Sequence, residues 1–457
     1  MYGGNFLMRK GAAGIAILGL VLILGLGAFF FLPRTVKIEP TDAAPASAGT
    51  STAPGTGTST NPATGTAQGG AGTSTPVVGG GGGVLPSDDL PPQPQLPNPP
   101  VIVKGIYMTG WTAGYEKRLN ALIDLVDRTE LNAVVIDIKD YSGYVSYKTG
   151  VREFAESGAE NELRISRPNT LIKRLHDKGI YVIARVSVFQ DPILAKAHPE
   201  WAVQNSKTGK LWVDRKGLAW MDAGAKPVWD YHVALAKDAF ARGFDEVNFD
   251  YIRFPSDGDM TAVDYPFTDE SRELHATIAE FFAYLRRELP GQKISADLFG
   301  LTTSSADDLG IGQKIEDAYP NFDYVCPMVY PSHFASGYNG FKSPAEHPYE
   351  VIQLSMTAAV DKLERLIRSN AVPLMTTNNS STASSSAQTP PLAPITAGEI
   401  AKYGKLRPWL QVFDLGAVYD EAKVKAQIKA ADDVLAGTPY YAGWLLWDPA
   451  NNYKSYR

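Results

Sequence analysis

A chain of 457 residues is too long for one minimal domain and long enough for one large domain with extensions. Its formal net charge is −6 with acidic and basic residues interspersed, which leaves no phosphate-binding footprint and excludes nucleic acid as an expected partner. The single cysteine, Cys326, excludes an intramolecular disulfide and a Cys-based zinc site.

The first hundred residues do not read as globular. Residues 11–32 form an uncharged apolar run behind Arg9 and Lys10, long enough at helical rise to cross a bilayer. The expectation is a short cytoplasmic stretch at 1–10, an anchor at 11–32 and everything after it exported. A cleaved signal segment is the rival, with a candidate site in Ala44-Pro-Ala-Ser-Ala48, although the run is long for a signal core. Residues 33–100 are rich in Ala, Gly, Ser, Thr and Pro. They read as a disordered tether whose end, Leu90 to Pro100, is stiffer and polyproline-like. Residues 376–394 repeat that composition and read as a floppy insertion within the folded part.

From residue 101 to the end, eight strand-like runs follow one another: 104–111, 133–140, 180–189, 244–255, 293–300, 324–332, 406–414 and 440–449. Helical patterns separate most of them, at 116–130, 168–178, 227–242, 269–289, 349–368 and 421–435. Only a short candidate, 312–318, stands between the fifth and sixth strands. Such alternation implies a parallel sheet, and eight strands over this length predict a (β/α)8 TIM barrel. An open doubly wound sheet would more often carry a Gly-rich phosphate turn after its first strand. Thr109-Gly-Trp-Thr-Ala-Gly114 is not one.

Strand parity then sorts side chains. With the apolar alternate set turned toward the helices, the other set enters the barrel. Beside Thr109, Val135, Ile183, Ser187, Ser295, Met328 and Leu445, the inward set holds Tyr107 and Trp111; Asp137 and Lys139; Arg185; Asn248 and Asp250; Asp297; Tyr330; Trp409 and Gln411; and Trp447. A barrel core is ordinarily Val, Ile and Leu, whereas this one gathers carboxylates, cations, amides and aromatics toward the strand C-termini, where barrel enzymes place their chemistry.

Asp250 and Asp297, on neighbouring strands, are the expected carboxyl pair, because glycosidic cleavage needs one carboxyl to protonate the leaving oxygen and one to act as nucleophile or base. Asp137 is the third catalytic candidate. The bland alternative is that these carboxylates pair with Arg185 or Lys139 and only hold the barrel together. Glu246 shares Asp250's parity but lies deeper and reads as structural. Tyr107, Trp111, Lys139, Arg185, Asn248, Tyr330, Gln411 and Trp447 are the candidate substrate contacts, since aromatic faces stack on sugars and polar groups fix their hydroxyls. Arg253 reads as outward or as a support at the loop base beside Phe254-Pro255. In the long third connection His198 is a lone loop histidine. No HExxH, His-rich cluster or EF-hand loop appears, so neither a metal site nor a cofactor is expected. No G-x-S-x-G elbow appears either.

Phe249-Asp-Tyr-Ile-Arg-Phe-Pro255, with Val135-Ile-Asp-Ile-Lys-Asp140, His198-Pro-Glu-Trp201 and Pro408-Trp-Leu-Gln-Val-Phe413, resembles a bacterial family of glycoside-hydrolase-like TIM barrels over residues 103–456. The resemblance implies a glycosidase-like barrel with Asp250 in its site, and no particular substrate. The expected activity is hydrolysis of a cell-envelope or extracellular polysaccharide by a membrane-tethered barrel. A non-catalytic carbohydrate-binding barrel is the alternative, and a barrel lyase or deacetylase a weaker third.

Overall fold

The computed structural model describes residues 88–371 and 394–456. The apolar run 11–32, the tether as far as 87 and nearly all of the 376–394 insertion lie outside the described residues. No helix among the described residues is long and apolar enough to cross a membrane.

Eight parallel strands close into a barrel: β1 (Val103–Met108), β2 (Ala133–Lys139), β3 (Tyr181–Ser187), β4 (Glu246–Asp250), β5 (Ile294–Phe299), β6 (Tyr324–Met328), β7 in two segments (Lys405–Leu406 and Trp409–Gln411) and β8 (Gly443–Trp447). Each pairs with the next, and β8 returns to β1 through Val103↔Gly443 to Ile106↔Leu446. Gly443 makes that closure possible: at φ +100° a Cβ would stand 1.9 Å from the Val103 carbonyl oxygen. β7 is interrupted at Arg407-Pro408, where proline has no N–H to give a ladder, yet Trp409 still pairs with both Met328 and Leu445. The helices between strands sit close to their expected positions, from Glu116–Asp127 to Glu421–Leu435. Between β5 and β6 stand only a 3-10 turn, Gly300–Thr303, and one short α-helix, Ile315–Ala318.

The alternation of the strands explains the two apolar cores. Ile106, Val134, Ile136, Val182, Ala184, Val247, Phe249, Ala296 and Leu446 face outward. They pack against helix stripes such as Leu119, Ile123 and Val126. Val103, Tyr107, Val135, Ile183, Cys326, Trp409 and Leu445 fill the lumen. The (β/α)8 expectation is met, and so is the parity of these positions.

Three local departures matter. β2 carries a bulge between Asp137 and Lys139, which slips its register against β3. A bulge inserts one residue and so reverses the alternation beyond it. β4 ends at Asp250, five residues before the expected run does, because Tyr251 takes the left-handed conformation (φ +53°) and turns the chain. β1 ends at Met108, and Trp111 lies instead in a short helix, Gly110–Gly114, capped by the Thr109 hydroxyl.

The tether also ends earlier than expected. Asp89 accepts hydrogen bonds from the amides of Asn169 and Thr170 at the start of helix Pro168–His176, and Asn169 Nδ2 donates to Leu90 O. The Gln93 amide donates to Arg242 O, the Leu96 amide to Asp245 Oδ1, and Leu96 packs on the lumen cluster. Residues 89–96 therefore form a strap across the N-terminal end of the barrel. Gly243 admits it, since a Cβ there would lie 2.4 Å from Gln93 O.

Deep in the lumen Glu246 and Arg407 form an ion pair with both side chains fully buried. Glu246 also accepts from Ser295 Oγ (2.5 Å) and Tyr181 OH (3.2 Å), and Arg407 lies over the Tyr324 ring at 4.2 Å. Glu246 is structural, as its depth implied, and its partner Arg407 sits at the β7 break. Removing one member of such a pair strands the other charge, at about 3–5 kcal/mol, whereas apolar replacement of both can be neutral. Arg407→Met is expected to lose stability on that scale in denaturant unfolding, and Glu246→Leu/Arg407→Met to recover most of it. A single-variant loss below about 1 kcal/mol would show that the pair is not a structural anchor.

Candidate active site

Above that pair, at the C-terminal ends of the strands, one guanidinium organises the site. Arg185 on β3 contacts Asp137 on β2 through Nη1 (2.5 Å), Asp250 at the end of β4 through Nη2, and stands 3.5 Å from Asp297 Oδ2 on β5 through Nε. Three inward positions on strands flanking β3 or one strand removed from it thus converge on one cation. The register sets this: Asp137 pairs with Arg185, and Ser187 with Asp250.

The three carboxyl groups differ in depth. Their side chains are 7% (Asp250), 4% (Asp137) and 1% (Asp297) exposed. Asp250 Oδ1 accepts the Tyr251 amide (2.5 Å), so the left-handed turn after β4 holds this carboxylate from below. Asp137 Oδ2 accepts Tyr107 OH (2.5 Å). Asp297 Oδ1 accepts Asn248 Nδ2 and Trp409 Nε1, both at 2.8 Å, and its Oδ2 has no hydrogen-bond partner among the described residues.

Three carboxyls and one close cation leave an excess of negative charge in a desolvated place. Burial raises Asp297 to about 7, the Asp250 charge adds to this, and Arg185 offsets part of it. Burial likewise raises Asp137 to about 6 against the pull of Arg185. For Arg185 burial acts to lower the pKa, but the Asp137 and Asp250 charges outweigh it and hold the guanidinium protonated. The cost of the cluster therefore falls on its acids.

Aromatic rings cover the cluster. Tyr107 stacks on Trp447 at 3.9 Å and 21°, Trp409 meets Trp447 edge-on at 5.6 Å, and Arg185 lies 4.9 Å over the Trp447 ring. Trp447 is the partly exposed member of this group, whereas Tyr107 and Trp409 are buried. Tyr330 lies in the lumen beside Phe413 and His333.

Of the residues expected to meet substrate, several take other places. Lys139 is a correction: the β2 bulge turns it away from the lumen, where it is buried, donates to Ser187 O (2.6 Å) and pairs with Asp191 at 2.9 Å, not with Asp137. Asn248 is wholly buried and donates to Ser295 Oγ and Asp297, beneath the surface of the site. Gln411 is also wholly buried. It accepts the Ser332 amide and donates to Phe413 O, tying the loops after β6 and β7 together. Trp111 does not point inward from a strand. It is 58% exposed on the rim, with the Arg164 guanidinium 5.2 Å over its ring. His198 stacks on Trp201 at 3.8 Å and pairs with Glu200, away from the carboxyl cluster's own hydrogen bonds and ion pairs. Among the described residues no cluster of His, Cys, Asp and Glu has the arrangement to hold a metal ion.

A family described as "Putative glycosyl hydrolase domain" matches residues 105–389 and 393–453, more than half of the sequence. The chain belongs to this family. Among solved structures, a hypothetical protein from Ruminiclostridium thermocellum is 40% identical over 45% of this chain and 98% of its own (TM-score 0.39). The glycoside hydrolase domain of PgaB (BpsB) from Bordetella bronchiseptica is 13% identical over 77% and 95% (TM-score 0.49). An α-galactosidase from Thermus thermophilus, solved with stachyose, is 13% identical over 79% and 63% (TM-score 0.42). No curated protein resembles the chain closely enough to count as a match. The family's barrel thus carries, in this chain, Arg185 and three aspartates at the C-terminal ends of its strands.

The raised acids carry a sign for stability. A carboxyl whose folded pKa exceeds its ordinary value of 3.8 keeps a proton that the unfolded chain releases. Asp297 thus favours the fold most below pH 4, and that contribution is lost as pH rises toward 7. Asp297→Asn, neutral at every pH, is expected to gain in denaturant midpoint relative to wild type between pH 4 and pH 8. Parallel curves would show that Asp297 titrates as it does in the unfolded chain.

Proposed function

We propose that the protein hydrolyses a glycosidic bond, with Asp250 as nucleophile or base and Asp137 as proton donor. The observation that carries this reading is the pairing of both with one guanidinium under a partly exposed Trp447. Asp250 and Asp137 are the two carboxyls nearer the opening. Asp297, sealed beneath Trp409, acts through Arg185 and its own retained proton, so the acid partner of Asp250 is reassigned from Asp297 to Asp137.

The oxygens of Asp137 and Asp250 bond to two nitrogens on the same Arg185 carbon, which brings the two carboxyl groups to one site. On a retaining route Asp250 attacks the anomeric carbon, Asp137 protonates the departing oxygen, and the same Asp137 then takes a proton from water; on an inverting route Asp250 instead takes a proton from the attacking water. Trp447, the partly exposed ring of the cluster, is the apolar surface assigned to a pyranose ring. That the substrate is a cell-envelope or extracellular polysaccharide, met by an exported barrel, rests on the sequence of residues 11–32 and the tether alone.

A carbohydrate-binding barrel without turnover is the second reading, and one observation favours it: Arg185 engages all three carboxyls, as a purely structural centre would.

With product release followed on a panel of polysaccharides, Asp250→Asn is expected to lower turnover by at least about a thousandfold with the melting temperature preserved. Asp137→Asn should do likewise on substrates with poor leaving groups. Because the donor must be protonated, wild-type activity should fall as pH rises past about 6. Unchanged turnover in Asp250→Asn removes it from the chemistry. Binding without cleavage of any glycan establishes the second reading.

A further inference from the structure

The turn that ends β4 carries a second guanidinium into the same neighbourhood. Arg253 stands three residues beyond Asp250, and its side chain packs against three rings: Trp220 at 4.7 Å, Phe299 at 4.8 Å and Tyr251 at 5.5 Å from ring centre to guanidinium carbon. These rings come from three separate parts of the barrel. Trp220 lies in the long loop after β3, Tyr251 follows Asp250, and Phe299 ends β5 two residues beyond Asp297. Arg253 Nη1 donates to Phe254 O (2.9 Å) and Ser256 Oγ (3.3 Å). Nε and Nη2 bond to no described residue, and no carboxylate is within ion-pair distance among the described residues.

That sets Arg253 apart from the other cations around the mouth. Arg185 has Asp137 and Asp250, Lys139 has Asp191, and Arg164, beneath Trp111, has Asp140 and Glu162. A cation drawn out of water ordinarily finds a counter-charge, since the Coulomb return is what offsets its desolvation. Around the half-buried Arg253, burial pushes the guanidinium pKa down, and the charges of Tyr251, Asp250, Asp257 and Asp214, none of the carboxylates within ion-pair distance, only partly oppose this. The rings themselves stabilise the cation through their faces and hold its plane in one orientation. The free edge of a fixed, planar guanidinium matches a carboxylate held by two parallel hydrogen bonds. A neutral sugar hydroxyl supplies no charge to that edge.

We propose that Arg253 is a specificity residue that receives the carboxylate of an acidic sugar, so that the substrate of this barrel is a uronate-bearing or otherwise carboxylated glycan. The inference rests on the carbohydrate reading above but not on turnover. It assigns the anionic sugar to a subsite beside the Asp250–Asp137 pair, on the side of β4 and β5. Arg253 neither donates nor takes a proton in the reaction. It acts by orienting the sugar, and so it should govern binding and KM more than kcat.

The test titrates the full chain with D-glucuronate and D-galacturonate, and in parallel with D-glucose, D-galactose and D-glucose 6-phosphate. Binding is read by saturation-transfer NMR and by tryptophan fluorescence, to which Trp220 contributes. The expected result is binding of a uronate at least tenfold tighter than its neutral counterpart. Arg253→Gln should abolish that preference, and Arg253→Lys, which keeps the charge without the planar fork, should retain part of it. Neutral sugars should bind all three proteins alike. If uronates bind no tighter than neutral sugars, or if their preference survives Arg253→Gln, the assignment is overturned. Arg253-dependent binding of the sugar phosphate without binding of either uronate overturns the carboxylate in favour of a phosphate group. Should Arg253→Gln fail to fold, the wild-type comparison and Arg253→Lys still decide. A uronate preference without any glycan cleavage would sink the hydrolase reading alone, and cleavage of neutral glycans with no uronate preference would sink only this one.

Discussion

A guanidinium shared among three carboxyl groups is the constraint from which the rest of the mouth follows. Closure of eight strands forces inward side chains of similar height into one small space, and Asp137, Arg185, Asp250 and Asp297 occupy adjacent positions there. One cation cannot balance three carboxylates out of water, so the cluster favours keeping a proton, and the two acids with raised pKa values, Asp137 and Asp297, are its candidate holders. The surrounding aromatics serve the same end. Tyr107 and Trp447 keep solvent from Arg185 while offering it their faces, and Trp409 gives Asp297 one of its few hydrogen bonds.

Below this layer the barrel uses charge differently. Glu246 and Arg407 are sealed, matched one to one, and linked to Tyr181 and Ser295. The contrast separates a balanced pair that holds strands together from an unbalanced cluster that has a proton to exchange. The strap at residues 89–96 crosses the opposite end, while the cluster at the strand C-termini lies against the partly exposed Trp447.

Much of this was legible from the sequence because a parallel barrel obeys a two-residue period strictly. Eight strands, their order and the inward placement of Asp137, Arg185, Asp250, Asp297, Trp409 and Trp447 all follow from it. The misplacements lie where the period breaks. The β2 bulge turns Lys139 out of the lumen, and no glycine or proline at that point announces it. The short helix after β1 lifts Trp111 onto the rim. Parity also says which way Asn248 and Gln411 point, but not how deep they lie, so it could not tell a buried hydrogen-bond bridge from a substrate contact. Arg407 was hidden by the break at Pro408, and the box around Arg253 required a left-handed tyrosine that few sequence rules would place in a strand. The strap was masked by composition: a Pro-rich segment reads as tether until its polar groups find partners on the barrel.

Arg185 is outnumbered, so the cluster retains a proton near neutral pH. Carbon-13 NMR titration of the aspartate carboxyls in the full chain, assigned with the Asp137→Asn and Asp297→Asn variants, tests that claim most directly. The account predicts two carboxyl resonances that titrate far above the ordinary 3.8, near 6 and near 7, with at least one proton still bound at pH 6. If all three aspartates are ionised by pH 5, Arg185 suffices to balance them, and the cluster is a structural ion network rather than a source of the proton that glycosidic cleavage needs.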